Sequence, residues 1–209
     1  MIYILLGFIV GGFLLGSIMF SRIVPRLIMS RDICSLSSDR NPGAANVFMK
    51  CGVKMGIVCL LLDILKGFLP VFVATFFLDT ADLTFSLVIA APVLGHAVGV
   101  FNRFHGGKCI STSYGVLLGI LPLSFIGFLL AGLYIIFSLA LKSKSNSAKS
   151  IVSYSLFIVG ELFIMHAVGK YAVALGCLLI SLIAIFKHVW ALIPYVEKHK
   201  ETEEAHCGG

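Results

Sequence analysis

The sequence predicts an all-α fold: a polytopic transmembrane bundle of about seven helices, N-terminus outside and C-terminus inside. Three observations predict it. Of 209 residues, 59% are apolar and only 12% are charged, where a soluble domain carries about 25%. Apolar runs near the roughly 20 residues that cross a bilayer recur along the chain. Lys and Arg gather in alternate connections, as they do in cytoplasmic loops.

The first span is read over residues 2–21, free of charge until Arg22. No basic stretch precedes it, so it is read as an uncleaved helix rather than a signal peptide. The second runs over 53–78 and contains Asp63 and Lys66; the third runs over 83–101. Residues 110–141 would make a helix of about 48 Å, too long for one crossing. Pro122 lies near their middle and breaks helices. They are therefore divided into 110–121 and 123–141. Spans over 151–168 and 171–187 complete the seven.

Charge orients the bundle. Arg22, Arg26, Arg31, Arg40, Lys50 and Lys54 fall between the first two spans, and the connection 78–82 carries only acids. Arg103 and Lys108 follow the third span. With seven helices, Lys142 and the tail with Lys187, Lys198 and Lys200 return to that same side, which the positive-inside rule assigns to the cytoplasm. One membrane domain over 1–196 is expected, with a charged cytoplasmic tail over 197–209. The net charge of +6 suits anionic partners, but loop asymmetry alone also produces it. The six cysteines form no CxxC and no zinc spacing. Cys59 and Cys177 read as small buried residues.

Four polar constellations interrupt the apolar background, each at the cytoplasmic side. Gly16-Ser17-Ile18 permits close helix approach, with a ligand role for Ser17 as the other reading. Ser38 to Val47 contains Asn41-Pro42-Gly43, strong turn chemistry, and Asn46, which like Asn41 both donates and accepts. Asp63 and Lys66 can pair at i,i+3. They are either a structural ion pair or, as charges within a span, part of a site. The fourth runs from Gly95-His96 to Gly106-Gly107-Lys108-Cys109-Ile110-Ser111. Glycine amides, the Lys108 charge and a helix starting near Ile110 suit a phosphate. The loop is not a Walker A motif, since Asn102 and Cys109 stand where Gly and Ser or Thr are required. Two anion-suited loops with an intramembrane charge pair between them point to a phosphorylated, lipid-linked substrate.

In this order the motifs resemble those of the bacterial acyl-phosphate:glycerol-3-phosphate acyltransferases, the PlsY family. The matching stretches are GSI at 16–18, NPGAANV at 41–47, DILKG at 63–67, LGH at 94–96 and GGK ending at Lys108. The resemblance implies a seven-helix enzyme of the bacterial plasma membrane with its site on the cytoplasmic face. Such an enzyme moves an acyl group from acyl phosphate to the 1-hydroxyl of glycerol 3-phosphate, making lysophosphatidic acid for phospholipid synthesis. It implies membrane lipids as surroundings and no metal, cofactor or nucleic acid. His96 and Lys108 are the expected catalytic residues. Ser38, Asn41, Gly43, Asn46, Lys66, Gly106, Gly107, Ser111 and His188 are the expected substrate-binding residues.

The chain also departs from the family pattern. Asp39 stands at a Ser position, where its charge would repel a phosphate unless Arg40 or Lys108 compensates it; Met49 stands at an Arg, Cys109 at a Gly and Ala191 at an Asn, and the proline of H-x-P-x-F is missing after His96. Two further readings follow. One is a catalytically silent or altered-specificity paralogue that binds phosphorylated lipid precursors. The other is a small transporter, which accounts for Asp63 and Lys66 but not for the paired loops.

Overall fold

A computed structural model describes residues 2–142 and 145–207, with side-chain surroundings through 193. Every regular element among the described residues is helical. The order is α1 Ile2–Gly16, α2 Phe20–Met29, α3 Ile33–Leu36, α4 Ala44–Cys51, α5 Val53–Ala74, α6 Phe85–Val98, α7 Ile110–Gly119, α8 Gly127–Ala140, α9 Asn146–Ala167 and α10 Tyr171–Cys207. A single 3-10 turn, Val100–Asn102, follows α6.

The first expected span is corrected. The apolar run holds a break: α1 and α2 meet at 44°. Met19 leaves helical geometry at φ −89° and ψ 76°. The Ile18 carbonyl, released from a regular helical ladder, accepts a hydrogen bond from Lys66 Nζ at 2.6 Å. Ser17 Oγ donates to the Phe13 carbonyl at 2.9 Å and to the Gly95 carbonyl at 3.1 Å. The motif Gly16-Ser17-Ile18 is therefore a packed break. A Cβ on Gly16 would overlap the Pro92 backbone, and one on Gly95 the Phe13 carbonyl.

The division near Pro122 stands, with shifted bounds. Helix α7 stops at Gly119, and α8 starts at Gly127 rather than 123. The segment 22–52 is also more ordered than a loop, since it contains most of α2, with α3 and α4.

Four helices are long and apolar enough to cross a membrane, or five when the bent pair counts as one. Seven crossings would need α7 and α8 as well, at about 15 and 21 Å against a hydrocarbon core of about 30 Å. Helix α6 is buried along most of its length. It lies between α1 and α10, while α5 packs chiefly on α7 and α9 on α10. Small residues allow these approaches, as lipid-embedded packing favours. Gly67 faces the Thr112 carbonyl, Gly115 the Ile64 carbonyl, and Gly176 the Ile89 side chain. Large apolar side chains such as Leu61, Phe163, Phe186 and Trp190 remain exposed on the outer faces, where water would penalise them and lipid does not.

Candidate active site

The site begins with two loops. Gly43 caps the start of α4 in extended backbone, and the Asn41-Pro42-Gly43 turn carries the chain into it. Asn46, one turn into α4, reaches back: its Nδ2 donates to the Asn41 carbonyl and to Asp39 Oδ1, both at 2.8 Å. The Asn41 amide also donates to Asp39 Oδ1 at 3.2 Å. The loop is thereby fixed from within.

The second loop folds back on the end of α6. Gly99 ends that helix in the left-handed region at φ +64°, and the Gly107 amide donates to the His96 carbonyl at 3.0 Å. No side chain fits here. A Cβ on Gly106 would overlap the His96 and Ala97 carbonyls, and one on Gly107 would meet His96 Nε2. The glycine pair therefore seats the loop directly on His96.

Lys108 joins the loops. Its Nζ lies 2.8 Å from Asp39 Oδ2, across 69 residues of sequence. Burial pushes the Asp39 carboxyl up, but Lys108 and Asn46 outweigh it and hold it below its ordinary value of 3.8. The tie is therefore intact above that value and is lost only as pH falls through the depressed one. His188, fully buried on α10, stands beside the Lys108 backbone.

Several buried polar atoms in this region have no partner: His96 Nδ1, Thr112 Oγ1, Ser113 Oγ and both ring nitrogens of His188. Such atoms are rare in folded proteins and each asks for a reason. Here they lie at the end of α6, in the first turn of α7 and on α10; His96 is against Gly107 and His188 against the Lys108 backbone, while Ser113 faces Tyr154. Ser111 opens α7 and is half-buried, while Ser38 is exposed in the turn before Asp39. Neither makes a side-chain hydrogen bond among the described residues.

Lys66 stands apart. It is fully buried, paired with Asp63 Oδ1 at 2.8 Å and bonded to the Ile18 carbonyl. Ser21 Oγ donates to the other Asp63 oxygen at 2.5 Å. The charges thus lock the break between α1 and α2 to α5, and the structural-pair reading accounts for every contact they make.

Comparison with known proteins now bears on this arrangement. Residues 6–195 match the glycerol-3-phosphate acyltransferase family model. The chain belongs to that family. It is 33% identical over 189 residues to a glycerol-3-phosphate acyltransferase of Hydrogenobaculum sp. (strain Y04AAS1), covering 88% of this chain and 92% of that one. It is 39% identical over 168 residues to one of Limosilactobacillus reuteri (strain DSM 20016), covering 80% and 77%. The crystal structure of PlsY (YgiH), an integral membrane glycerol 3-phosphate acyltransferase, in its glycerol 3-phosphate form, superposes with a TM-score of 0.78. The identity is 26%, over 93% of this chain and 92% of that one.

Within the family, this chain's departures have physical consequences. Asp39 neutralises Lys108. Met49 is exposed on α4, and Arg31 donates to the Lys50 carbonyl next to it at 2.6 Å. Ala191 is half-buried on α10, one turn beyond His188. Cys109 caps α7 at φ +67°, a conformation glycine adopts freely and a Cβ disfavours. The strained thiol is buried and donates to the Val93 and Gly107 carbonyls at 3.6 Å. Cys109→Gly is therefore expected to be more stable than Cys109→Ala by about 1 kcal/mol. Thermal midpoints of the two purified variants check this; equal midpoints would mean that the backbone at 109 carries no strain.

Sequence reasoning read Asp39 as an acid that Arg40 or Lys108 would have to compensate; the structure pairs it with Lys108, and that the pair links the two loops was not foreseen. Sequence reasoning also missed Asn102, whose Nδ2 donates to the His105 carbonyl at 2.5 Å and steadies the chain before Gly106. The three-residue spacing of Asn102 and His105 was the available signal.

Proposed function

We propose that this protein transfers an acyl group from acyl phosphate to the 1-hydroxyl of glycerol 3-phosphate at the cytoplasmic face of a bacterial plasma membrane. The observation that carries this reading is the Lys108–Asp39 tie. It brings the NPG and GGK loops together beside the buried His96 ring, whose Nδ1 has no partner among the described residues. The basic loops shared by Arg22, Arg103 and Lys108 support a cytoplasmic site, with the N-terminus outside and seven crossings.

Acyl phosphate is already activated, so no enzyme nucleophile is required. The hydroxyl oxygen of glycerol 3-phosphate attacks the acyl carbon, the carbon–oxygen bond to phosphate breaks, and inorganic phosphate leaves with the electron pair. Lys108 and the Gly106 amide steady the charge that develops, while the Gly107 amide is spent on the His96 carbonyl. Asn41, Gly43, Asn46, Ser38 and Ser111 border the glycerol 3-phosphate, and His188 supports the loop from α10. His96 lies beneath Gly107, almost fully buried. That burial supports a positioning role, with the departing phosphate taking the hydroxyl proton. Lys66 positions α5 rather than touching substrate.

Asp39 is the observation that favours the second reading, a silent or altered paralogue, because a carboxylate already occupies the Lys108 ammonium. Asp39→Ser separates the two. For an active enzyme it is expected to lower the Michaelis constant for glycerol 3-phosphate by up to about fivefold, the worth of a partly exposed ion pair. A raised constant would mean that Asp39 holds Lys108 in place for substrate. Met49→Arg is expected to act in the same direction by adding a bidentate phosphate donor; steady-state titration of glycerol 3-phosphate reads both.

A further inference from the structure

A second anion-suited cavity lies outside the transfer site. It has a volume of about 350 Å³ and is lined by Arg22, Arg26, Asp32, Phe101, Asn102 and Arg103. Arg22 is committed: it forks onto both oxygens of Asp32 at 3.1 and 2.8 Å and also donates to Asn102 Oδ1. Arg26 and Arg103 form no ion pair among the described residues. Three guanidinium groups against one carboxylate leave a balance of +2 on the lining. That balance matches a phosphomonoester, which carries about −1.5 to −2 near neutral pH.

The cavity is also built at some cost. Arg103 and Phe104 are consecutive non-glycine residues with positive φ, +53° and +61°, a strained pairing of the kind held at ligand sites. It turns both side chains outward, where they are exposed. Apolar groups surround the arginines. Phe101, Phe104, Leu27 and Ile28 are all more than 60% exposed. Helix α2 thus presents an uncovered apolar face beside its arginines, the pattern of a helix lying in the membrane interface. A ligand here meets guanidinium groups at its head and hydrocarbon at its side.

We propose that this cavity binds the phosphomonoester head of a membrane lipid, separately from the transfer site. Guanidinium forks match phosphate oxygens in geometry as well as charge.

Calorimetric titration of the detergent-solubilised full chain with short-chain phosphatidic acid tests this without reference to transfer activity. Arg26→Gln/Arg103→Gln is expected to bind about a hundredfold more weakly, for two lost charge-assisted contacts. Arg26→Lys/Arg103→Lys, which keeps charge but not the planar fork, is expected to fall between. Both arginines are exposed, so thermal midpoints should not move. Lys108→Ala is expected to bind as the unaltered protein does. Short-chain phosphatidylglycerol, a phosphodiester, and inorganic phosphate are both expected to bind more weakly. Unchanged binding by the double Gln variant would overturn the proposal. Loss of binding in Lys108→Ala would place the lipid in the transfer site instead. Phosphatidylglycerol as tight as phosphatidic acid would overturn the phosphomonoester assignment. Inorganic phosphate as tight would overturn the lipid assignment, making this a free-anion site.

Discussion

Lys108→Ala is expected to lower kcat/KM for glycerol 3-phosphate by about 10²- to 10³-fold, as removal of one donor to a developing oxyanion does. The side chain is four-fifths buried, and its ammonium is the point where the two loops meet. On the proposed mechanism its loss removes the cation that faces the transferring group, and it unties Asp39 from the second loop. The fold should survive. The loop stays seated through the Gly107 amide and the Asn102 side chain, and the Asn46–Asn41 bond still closes the first loop. An unshifted thermal midpoint alongside the lost rate would assign the effect to chemistry. Lys108→Arg keeps the charge but spreads it over a planar fork, so it should recover only part of the rate. Full activity in Lys108→Ala would remove the cradle from the mechanism.

Asp63→Ala is expected to destabilise the protein by about 3–5 kcal/mol, the effect of leaving one buried charge without its partner. Both side chains are essentially inaccessible. Removing the carboxylate leaves the Lys66 ammonium with the Ile18 carbonyl and deprives the Ser21 hydroxyl of its acceptor. The break between α1 and α2 then loses its tie to α5. The measurement is the midpoint of thermal unfolding in lipid nanodiscs. Asp63→Leu/Lys66→Met removes both charges together and should recover much of the loss, since a buried pair contributes little net stability beyond an apolar replacement. If Asp63→Ala unfolded with the unaltered protein, the charges would not be holding the break.

These two residues show what the sequence could and could not convey. The membrane class was legible because apolar runs and loop charge are averages over many residues. The division near Pro122 was legible because proline acts locally. The bend after Gly16 was hidden, since Ser17 is the lone polar residue through Phe20 and the Lys66 ammonium that holds the break lies 48 positions away. Helix α2 was read as loop because its apolar face is shared with three charged or polar positions and is too short to register as a span. At the site, Asn41, Asn46, Gly106, Gly107 and Lys108 were legible as motifs with local backbone reasons. For Asp39 the need of a compensating cation was legible, with Arg40 and Lys108 both open; the choice of Lys108 was not, because it depends on a contact 69 residues away. The pairing of Lys66 with Asp63 was legible as one of two readings, the other being the substrate-binding role expected for Lys66; which way the pair faced required the packing of α1 against α5. The arginine cavity joins α2 to the turn after α6, a neighbourhood no linear spacing displays.

The most direct test supplies the purified protein in lipid with acyl phosphate and labelled glycerol 3-phosphate. The account expects labelled lysophosphatidic acid to form, with one inorganic phosphate released for each molecule made. Binding of glycerol 3-phosphate without lysophosphatidic acid formation would contradict it, and would leave this family member as a lipid-precursor binder in which Asp39 has closed the cradle.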